Sequence, residues 1–250
     1  MKDRPVIRLL RLAQGSKNNE KLYRQFESMA NAASMTKRSV ERKMEEVKSG
    51  SELEQRALKE ILPILEGAFA PLVEVEKAAK FGARVTGALL DPDKTQRATA
   101  AVEKAVNHIT GTLHSYKEYV NSSFGPIIQK YDRASDSLKD AYKKKYSEDK
   151  RKFMGEGKTE EEATDLFQKS EFHDKVRYLL EVNSVKSSLY REFLVRLDTR
   201  MTDVGVRELV QAYQTAKSNI GFSERISASV RNILSLKRAT TLFLGDKKIV

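Results

Sequence analysis

Residues 126–153 read PIIQKYDRASDSLKDAYKKKYSEDKRKF, and residues 161–190, after the polar break Gly155-Glu156-Gly157-Lys158, read EEATDLFQKSEFHDKVRYLLEVNSVKSSLY. The apolar residues of both blocks recur in steps of three and four, the period of an amphipathic helix. Thr159 followed by Glu162 forms a capping-box pattern that opens the second helix. Two long helices are therefore expected to meet at a turn near Gly157, with lysines crowding the first of them.

Upstream, the same stripe extends through Leu113, Tyr116, Val120, Phe124, Ile127, Tyr131, Ala134 and Leu138. It passes Gly125-Pro126 without a change of phase, so the proline is expected to kink one continuous helix rather than separate two. Downstream, the return helix reads Phe172, Val176, Leu179, Asn183, Tyr190, Phe193 or Leu194, Leu197, Met201 and Val204. Asn183 and Ser187 lie inside this apolar face. A polar group there is either a satisfied core group or, the favoured reading, an interface register device, which costs stability but rejects misaligned pairings.

Toward the N-terminus, Leu22, Phe26, Met29, Ala33, Val40, Met44 and Val47 mark a long amphipathic helix, interrupted at Gly50-Ser51. Leu58, Ile61, Leu65, Ala68, Leu72, Val75, Ala79 and Gly82 continue in alternate steps of three and four, as in a coiled-coil seam. Pro63 and Pro71 fall off that seam and are expected to cause kinks or a short break. Leu89-Leu90-Asp91-Pro92-Asp93 reads as a helix end and a new start, with Asp91 or Asp93 able to cap. Residues 1–15 form a basic amphipathic segment, with Arg4, Arg8 and Arg11 beside Val6, Ile7, Leu9, Leu10 and Leu12, suited to insertion at a membrane interface or to docking on the bundle. Residues 16–220 form the helical body. Residues 221–250 supply a C-terminal amphipathic helix and tail, patterned by Phe222, Ile226, Val230, Ile233 and Phe243.

Composition agrees with this pattern. Twelve Gly and five Pro in 250 residues, with 40% hydrophobic and 32% charged residues, favour narrow buried seams and wide solvated faces. The expected fold is all-α, an elongated antiparallel bundle of long helices. Cysteine is absent, which removes disulfides and thiol chemistry. No apolar run approaches the roughly 20 residues of a membrane span. No secretory h-region is evident either, so a cytoplasmic location is expected.

Catalytic signals fail on their own chemistry. His108, His114 and His173 show no His-x-x-x-His or Glu-x-x-His spacing, the pattern that aims metal ligands into a bundle. Gly157-Lys158-Thr159 matches the end of a phosphate-binding loop, but residue 152 is Lys where that loop needs Gly, and no strand precedes it. Neither an enzyme nor a cofactor or metal site is expected.

The formal net charge of +11 points instead to an anionic partner. Lys139, Lys143, Lys144, Lys145, Lys150, Arg151 and Lys152 face three acids over 139–152. Lys139 and Lys143 are one turn apart, and Lys145, Lys150 and Lys152 are read as neighbours around the helix, so a coherent positive surface is expected.

The hairpin resembles a BAR domain, most closely the variety of the arfaptin, ACAP and APPL groups. The resemblance is carried by Tyr131-Asp132-Arg133-Ala134-Ser135, the lysine-rich stretch after it, the short polar tip and Tyr178-Leu179-Leu180-Glu181-Val182-Asn183-Ser184-Val185, and it spans residues 94–205. It implies a crescent-shaped antiparallel homodimer that senses or generates curvature on anionic phospholipid, as a peripheral membrane protein of membrane trafficking. The seven bases above, with Lys158 at the tip and Lys169 and Lys175 on the return helix, would then be membrane contacts. Some members carry an N-terminal amphipathic helix, which residues 4–12 resemble. The break at Gly50, Pro63, Pro71 and the extra C-terminal helix depart from a plain three-helix BAR subunit.

Two other functions fit the same sequence. One is a helical scaffold for a protein partner such as a small GTPase. The other, less favoured, is nucleic-acid binding, suggested by the pI and by Tyr142 and Tyr146 flanking three lysines.

Overall fold

The computed structural model describes residues 5–90, 95–197 and 204–218, with side chains from Gly15 onward except those of Leu90 and Thr95. Every regular element among them is helical: α1 (Pro5–Lys48), α2 (Glu52–Thr86) with a 3-10 turn at Gly87–Leu90, α3 (Thr95–Gly155), α4 (Glu160–Gln168) and α5 (Glu171–Leu197). A further helix, α6, covers 206–218. The expected C-terminal helix, Met201, Asp91 and Asp93 lie outside the described residues.

The chain forms two compact units, one of Met1–Ala33, Glu74–Leu113 and Arg200–Val250, the other of Ser34–Val73 and His114–Thr199. In the first, Leu22, Phe26 and Met29 of α1 are buried with Val75 and Ala79 of α2, Val102, Ile109 and Leu113 of α3, and Leu209 and Ala212 of α6. Gly82 lets α1 come close to α2: a Cβ there would stand 2.3 Å from the Phe26 ring. At the edge of this unit Lys217 of α6 pairs with Glu103 of α3 at 2.9 Å.

In the second unit α1 reverses into α2 at residues 49–51. Ser51 caps α2: its hydroxyl accepts from the Glu54 N–H at 3.3 Å while the Glu54 carboxylate accepts from the Ser51 N–H at 2.8 Å. That reciprocal pairing satisfies two of the backbone donors a helix start leaves open, so the sequence reverses where it had shown only an interruption. The next reversals run α2 against α3, with Glu60 at Tyr131 and Ile64 at Tyr119, and α3 against α5, with Tyr116 at Leu197 and Asp132 at Ser187. α5 in turn meets α1 through Lys43–Glu192 and Arg196–Ser39. Four helix segments thus enclose the core of Val40, Ile61, Leu65, Leu72, Val120, Phe124, Tyr190 and Phe193.

Several details differ from expectation. α2 is one helix through Pro63 and Pro71, without a break. Both prolines sit off the buried seam, where a missing N–H is left to the solvent side. α3 continues through Pro126, as expected. Ile128, not Ile127, is the buried partner of Phe124, and Ala134 and Leu138 are only half-buried. The return helix is two helices, because Ser170 starts a new one: its hydroxyl accepts from the His173 N–H at 3.2 Å. Leu179 and Val204 are exposed, and Leu180 takes the seam position between Val176 and Asn183.

Candidate functional site: the α3–α4 hairpin

Glu60 of α2 meets Tyr131 of α3. At about 1.5 Å of rise per residue in both helices, the start of α2 at Glu52 therefore falls opposite residue 139 or so. Beyond that level, among the described residues, α3 runs beside α4 and the beginning of α5. Phe167, 1% exposed, fills this two-helix stretch, with Tyr142, Tyr146, Phe172 and His173 around it at centroid distances of 5.3, 5.1, 6.2 and 6.1 Å. Hydroxyl bonds close the cluster, Tyr142 to His173 Nδ1 at 3.0 Å and Tyr146 to Thr164 at 3.1 Å. Tyr142 and Tyr146 are half-buried and pack into the hairpin interior.

The turn itself is fully specified. Gly157 has φ of 86°, the left-handed region that favours glycine, and the Gly157 and Lys158 N–H groups bond to the Met154 and Phe153 carbonyls, each at 3.1 Å. Thr159 then caps α4, and its capping box with Glu162 is present as the sequence predicts.

Of the expected site residues, five are engaged. Lys139 reaches Asp136 at 3.4 Å and Lys143 reaches Asp140 at 4.0 Å, both loose and exposed. Lys145 binds Asp149 at 2.8 Å and Lys169 binds Asp165 at 2.6 Å. Lys150 crosses the hairpin to Glu160. Hydrogen bonding to Asp149 raises the Lys145 pKa, the bond to Glu160 raises that of Lys150, and the bond from Lys150 lowers that of Glu160. These shifts leave Lys145 and Lys150 protonated and Glu160 ionised at neutral pH. Among the described residues, Lys144, Arg151, Lys152, Lys158 and Lys175 are exposed and have no acidic side chain within ion-pair distance.

The expected grouping of Lys145, Lys150 and Lys152 is not what the helix makes. At about 100° per residue, Lys145 and Lys152 share one flank of α3, Lys150 turns to the other, and Lys144 and Arg151 lie on the side away from α4. Arg133 falls on that same outer line, exposed and with no ion-pair partner among the described residues. It escaped the sequence reading because it lies outside the lysine run, although its spacing of 11 and 18 residues to Lys144 and Arg151 carries the signal.

The acids across the turn escaped it as well. Residues 139–155 hold seven bases and three acids, whereas 156–165 hold one base and five acids. The hairpin end is neutral as a whole and polarised between its arms, basic on α3 and acidic on α4.

Asn183 is buried, at 8% exposure, within the single chain. Its neighbours hold the α3–α5 alignment: Ser187 donates to Asp132 at 2.7 Å and Arg191 pairs with the same carboxylate. One turn away, Glu60 accepts from Tyr131 and from Lys186, each at 2.5 Å. Burial alone would raise the Glu60 pKa, but the bonds from Lys186 and Tyr131 outweigh it and leave it lowered. Lys186 is correspondingly raised: burial works against its charge, and the bonds to Glu60 and Tyr131 prevail.

Arg4 lies outside the described residues. Arg8 and Arg11 fall within α1, with their side chains outside the description. His108 and His114 are exposed and His173 half-buried in the aromatic cluster. No described helix is long and apolar enough to cross a membrane. No family model, curated protein or solved structure matches the chain.

Proposed function

We propose that this protein binds anionic membrane surfaces peripherally, as a BAR-like homodimer that senses or generates curvature. The observation that carries this reading is the outer line of α3, where Arg133, Lys144 and Arg151 face away from α4 with no ion-pair partner among the described residues. A base already paired with a carboxylate must give up that partner to meet a phosphate, whereas these need not. Each contributes on the order of 1 kcal/mol near an anionic leaflet, so three give about 3 kcal/mol, weaker than millimolar by themselves. Two copies on one surface add their contributions, which is why a dimer belongs to the proposal.

The polarity of the hairpin narrows the geometry. The acidic α4 arm is repelled by an anionic surface, so α3 meets it from its outer side and the tip does not enter end-on. The terminal stretches support the same partner: residues 1–14 and 219–250 together hold seven of the eleven net positive charges. The α1–α2 reversal at Gly50 departs from a plain three-helix BAR subunit, so the BAR-like reading rests on α3–α5 alone.

Cosedimentation with vesicles containing phosphatidylserine, against pure phosphatidylcholine, tests the proposal. The expected result is recovery on the anionic vesicles only, reduced by salt and by Lys144→Glu with Arg151→Glu. Equal recovery on both, or no effect of the double reversal, would sink it. Removal of residues 1–13 is expected to weaken binding and tubulation further. Nucleotide-dependent capture of a small GTPase, or a salt-dependent gel shift, without any vesicle binding would favour the scaffold or the nucleic-acid reading instead.

A further inference from the structure

In the first unit Glu74 of α2 approaches His108 of α3 at 3.8 Å, and both side chains are about half exposed, so this contact marks the outer edge of the α2–α3 seam. α2 ends at Thr86 and α3 begins at Thr95, so the two run antiparallel and Phe81, two turns beyond Glu74 on the same line of α2, stands level with Ala101. The Phe81 ring is 48% exposed. Four exposed bases surround it. Lys77 and Arg84 lie one turn before and one turn after it on α2, and Arg97 and Lys104, within about 40° of the His108 line, lie one turn to either side of Ala101 on α3. Lys77 has only an exposed 3.5 Å contact with Glu74, of a kind worth little. Arg84, Arg97 and Lys104 have no ion-pair partner among the described residues, and Glu74 is the one acid among the described residues of this face.

A half-exposed ring without a polar atom is unfavourable in water, and the four like charges drawn around it repel one another. An anionic lipid surface relieves both. It offers phosphates at the level of the bases and an apolar layer just beneath, which the ring can enter while the long Lys and Arg stems lie along the boundary. A single-stranded nucleic acid would supply the phosphates, but its successive bases need successive stacking rings, and this face has one among the described residues. We propose that Phe81 with Lys77, Arg84, Arg97 and Lys104 forms a membrane contact, in which the ring enters the headgroup boundary of an anionic leaflet and the bases bind its phosphates. This contact rests on the membrane reading for its partner and shares no residue with the outer line of α3.

The chain contains no tryptophan, so Phe81→Trp places a single indole at the centre of the face. On vesicles containing phosphatidylserine its emission is expected to shift to the blue and to lose acrylamide quenching, with no change on pure phosphatidylcholine. Arg84→Glu with Lys104→Glu is expected to weaken binding to the anionic vesicles by about tenfold or more, with the helical circular dichroism of the wild type retained. Emission unchanged on vesicles that carry the protein down, or binding indifferent to this double reversal, would overturn the proposal and leave the membrane reading standing on Lys144 and Arg151. Failure to sediment with any vesicle would overturn both. An emission shift with a single-stranded oligonucleotide and none with vesicles would assign the face to nucleic acid and overturn the proposal as well.

Discussion

Replacing Glu60 with Ala probes the polar junction that ties α2 to both arms of the α3–α5 hairpin. The Glu60 carboxylate holds two charge-assisted hydrogen bonds at 2.5 Å, from Tyr131 and Lys186. Bonds to charged groups contribute about 1.5–3 kcal/mol each, or about 3–6 kcal/mol for two. The Glu60 and Lys186 side chains are 33% and 20% exposed, and solvent screening brings the expected loss down to about 2–3 kcal/mol. Urea denaturation followed by circular dichroism measures it. In a thermal scan the same loss moves the melting temperature of the transition that includes α2, α3 and α5 by about 4–12 °C. Lys186→Met provides the second edge of a double-mutant cycle. The expected coupling is about 1–2 kcal/mol, since the Lys186 ammonium touches both Glu60 and Tyr131. A loss below about 0.5 kcal/mol, or strictly additive single effects, would refute the junction.

The pH dependence of that loss follows from the two shifts. Glu60 titrates below its unfolded value in the fold, so its contribution is complete above about pH 4.3 and is lost as pH falls through the lower folded value. Lys186 titrates above its unfolded value, so its contribution is complete below about pH 10.4 and is lost as pH rises through the higher folded value. The stability difference between wild type and Glu60→Ala is thus expected to be level across neutrality and to shrink at both extremes. A difference that peaks near pH 6.5 would implicate a histidine instead.

Gly82→Ala is expected to destabilise by about 1–3 kcal/mol despite better helix propensity, because its Cβ meets the fully buried Phe26 ring at 2.3 Å. Gly67→Ala meets the hydroxyl end of the half-buried Tyr119 ring, at 2.2 Å from the oxygen and 2.7 Å from the carbon that bears it, and the side chain can turn outward at the cost of its long 3.3 Å bond to the Ile64 carbonyl, so denaturation should show a smaller loss than at Gly82; equal losses at both would contradict the distinction. Thr159→Ala removes the α4 cap and should cost about 1 kcal/mol locally, read as faster amide exchange over 160–164, with unchanged exchange as the contrary result. Asn183→Leu is expected to raise the stability by about 1 kcal/mol, read as a higher denaturation midpoint, because Ser187, Asp132 and Arg191 already hold the alignment; a lower midpoint would mean that the amide makes a bond the fold needs.

The periodic stripes made the helices legible, since burial follows a phase that apolar spacing reports directly. All eight seam residues of α2, from Leu58 to Gly82, are buried. What stayed illegible was the polar chemistry that decides where a helix turns. Ser51 caps a helix where the sequence showed an interruption but not a reversal, and Ser170 caps one inside a stretch whose periodicity continues across it. A stripe reports which side is apolar, and it keeps its phase whether the chain runs on or restarts. The junction of Glu60, Tyr131 and Lys186 was hidden for a related reason: its members are 55 and 71 residues apart and meet only after two reversals. The capping box at Thr159 was visible because both its members fall within one turn.

Charge shows the same division between count and placement. A net charge of +11 suggests a uniformly basic body, yet residues 139–165, the stretch richest in lysine, hold eight bases and eight acids. The fold sorts them, because the turn at Gly157 places the acids on α4 and the bases on α3. Packing around Phe167 then fixes which side of α3 is inward, so Lys144 and Arg151 point away from the acids while Lys150 is drawn into a pair with one of them. A neutral segment thereby acquires a direction. The mean charge of the chain governs its attraction to an anionic surface from a distance, but within a Debye length, about 8 Å at physiological salt, the sorted arms decide which side can touch.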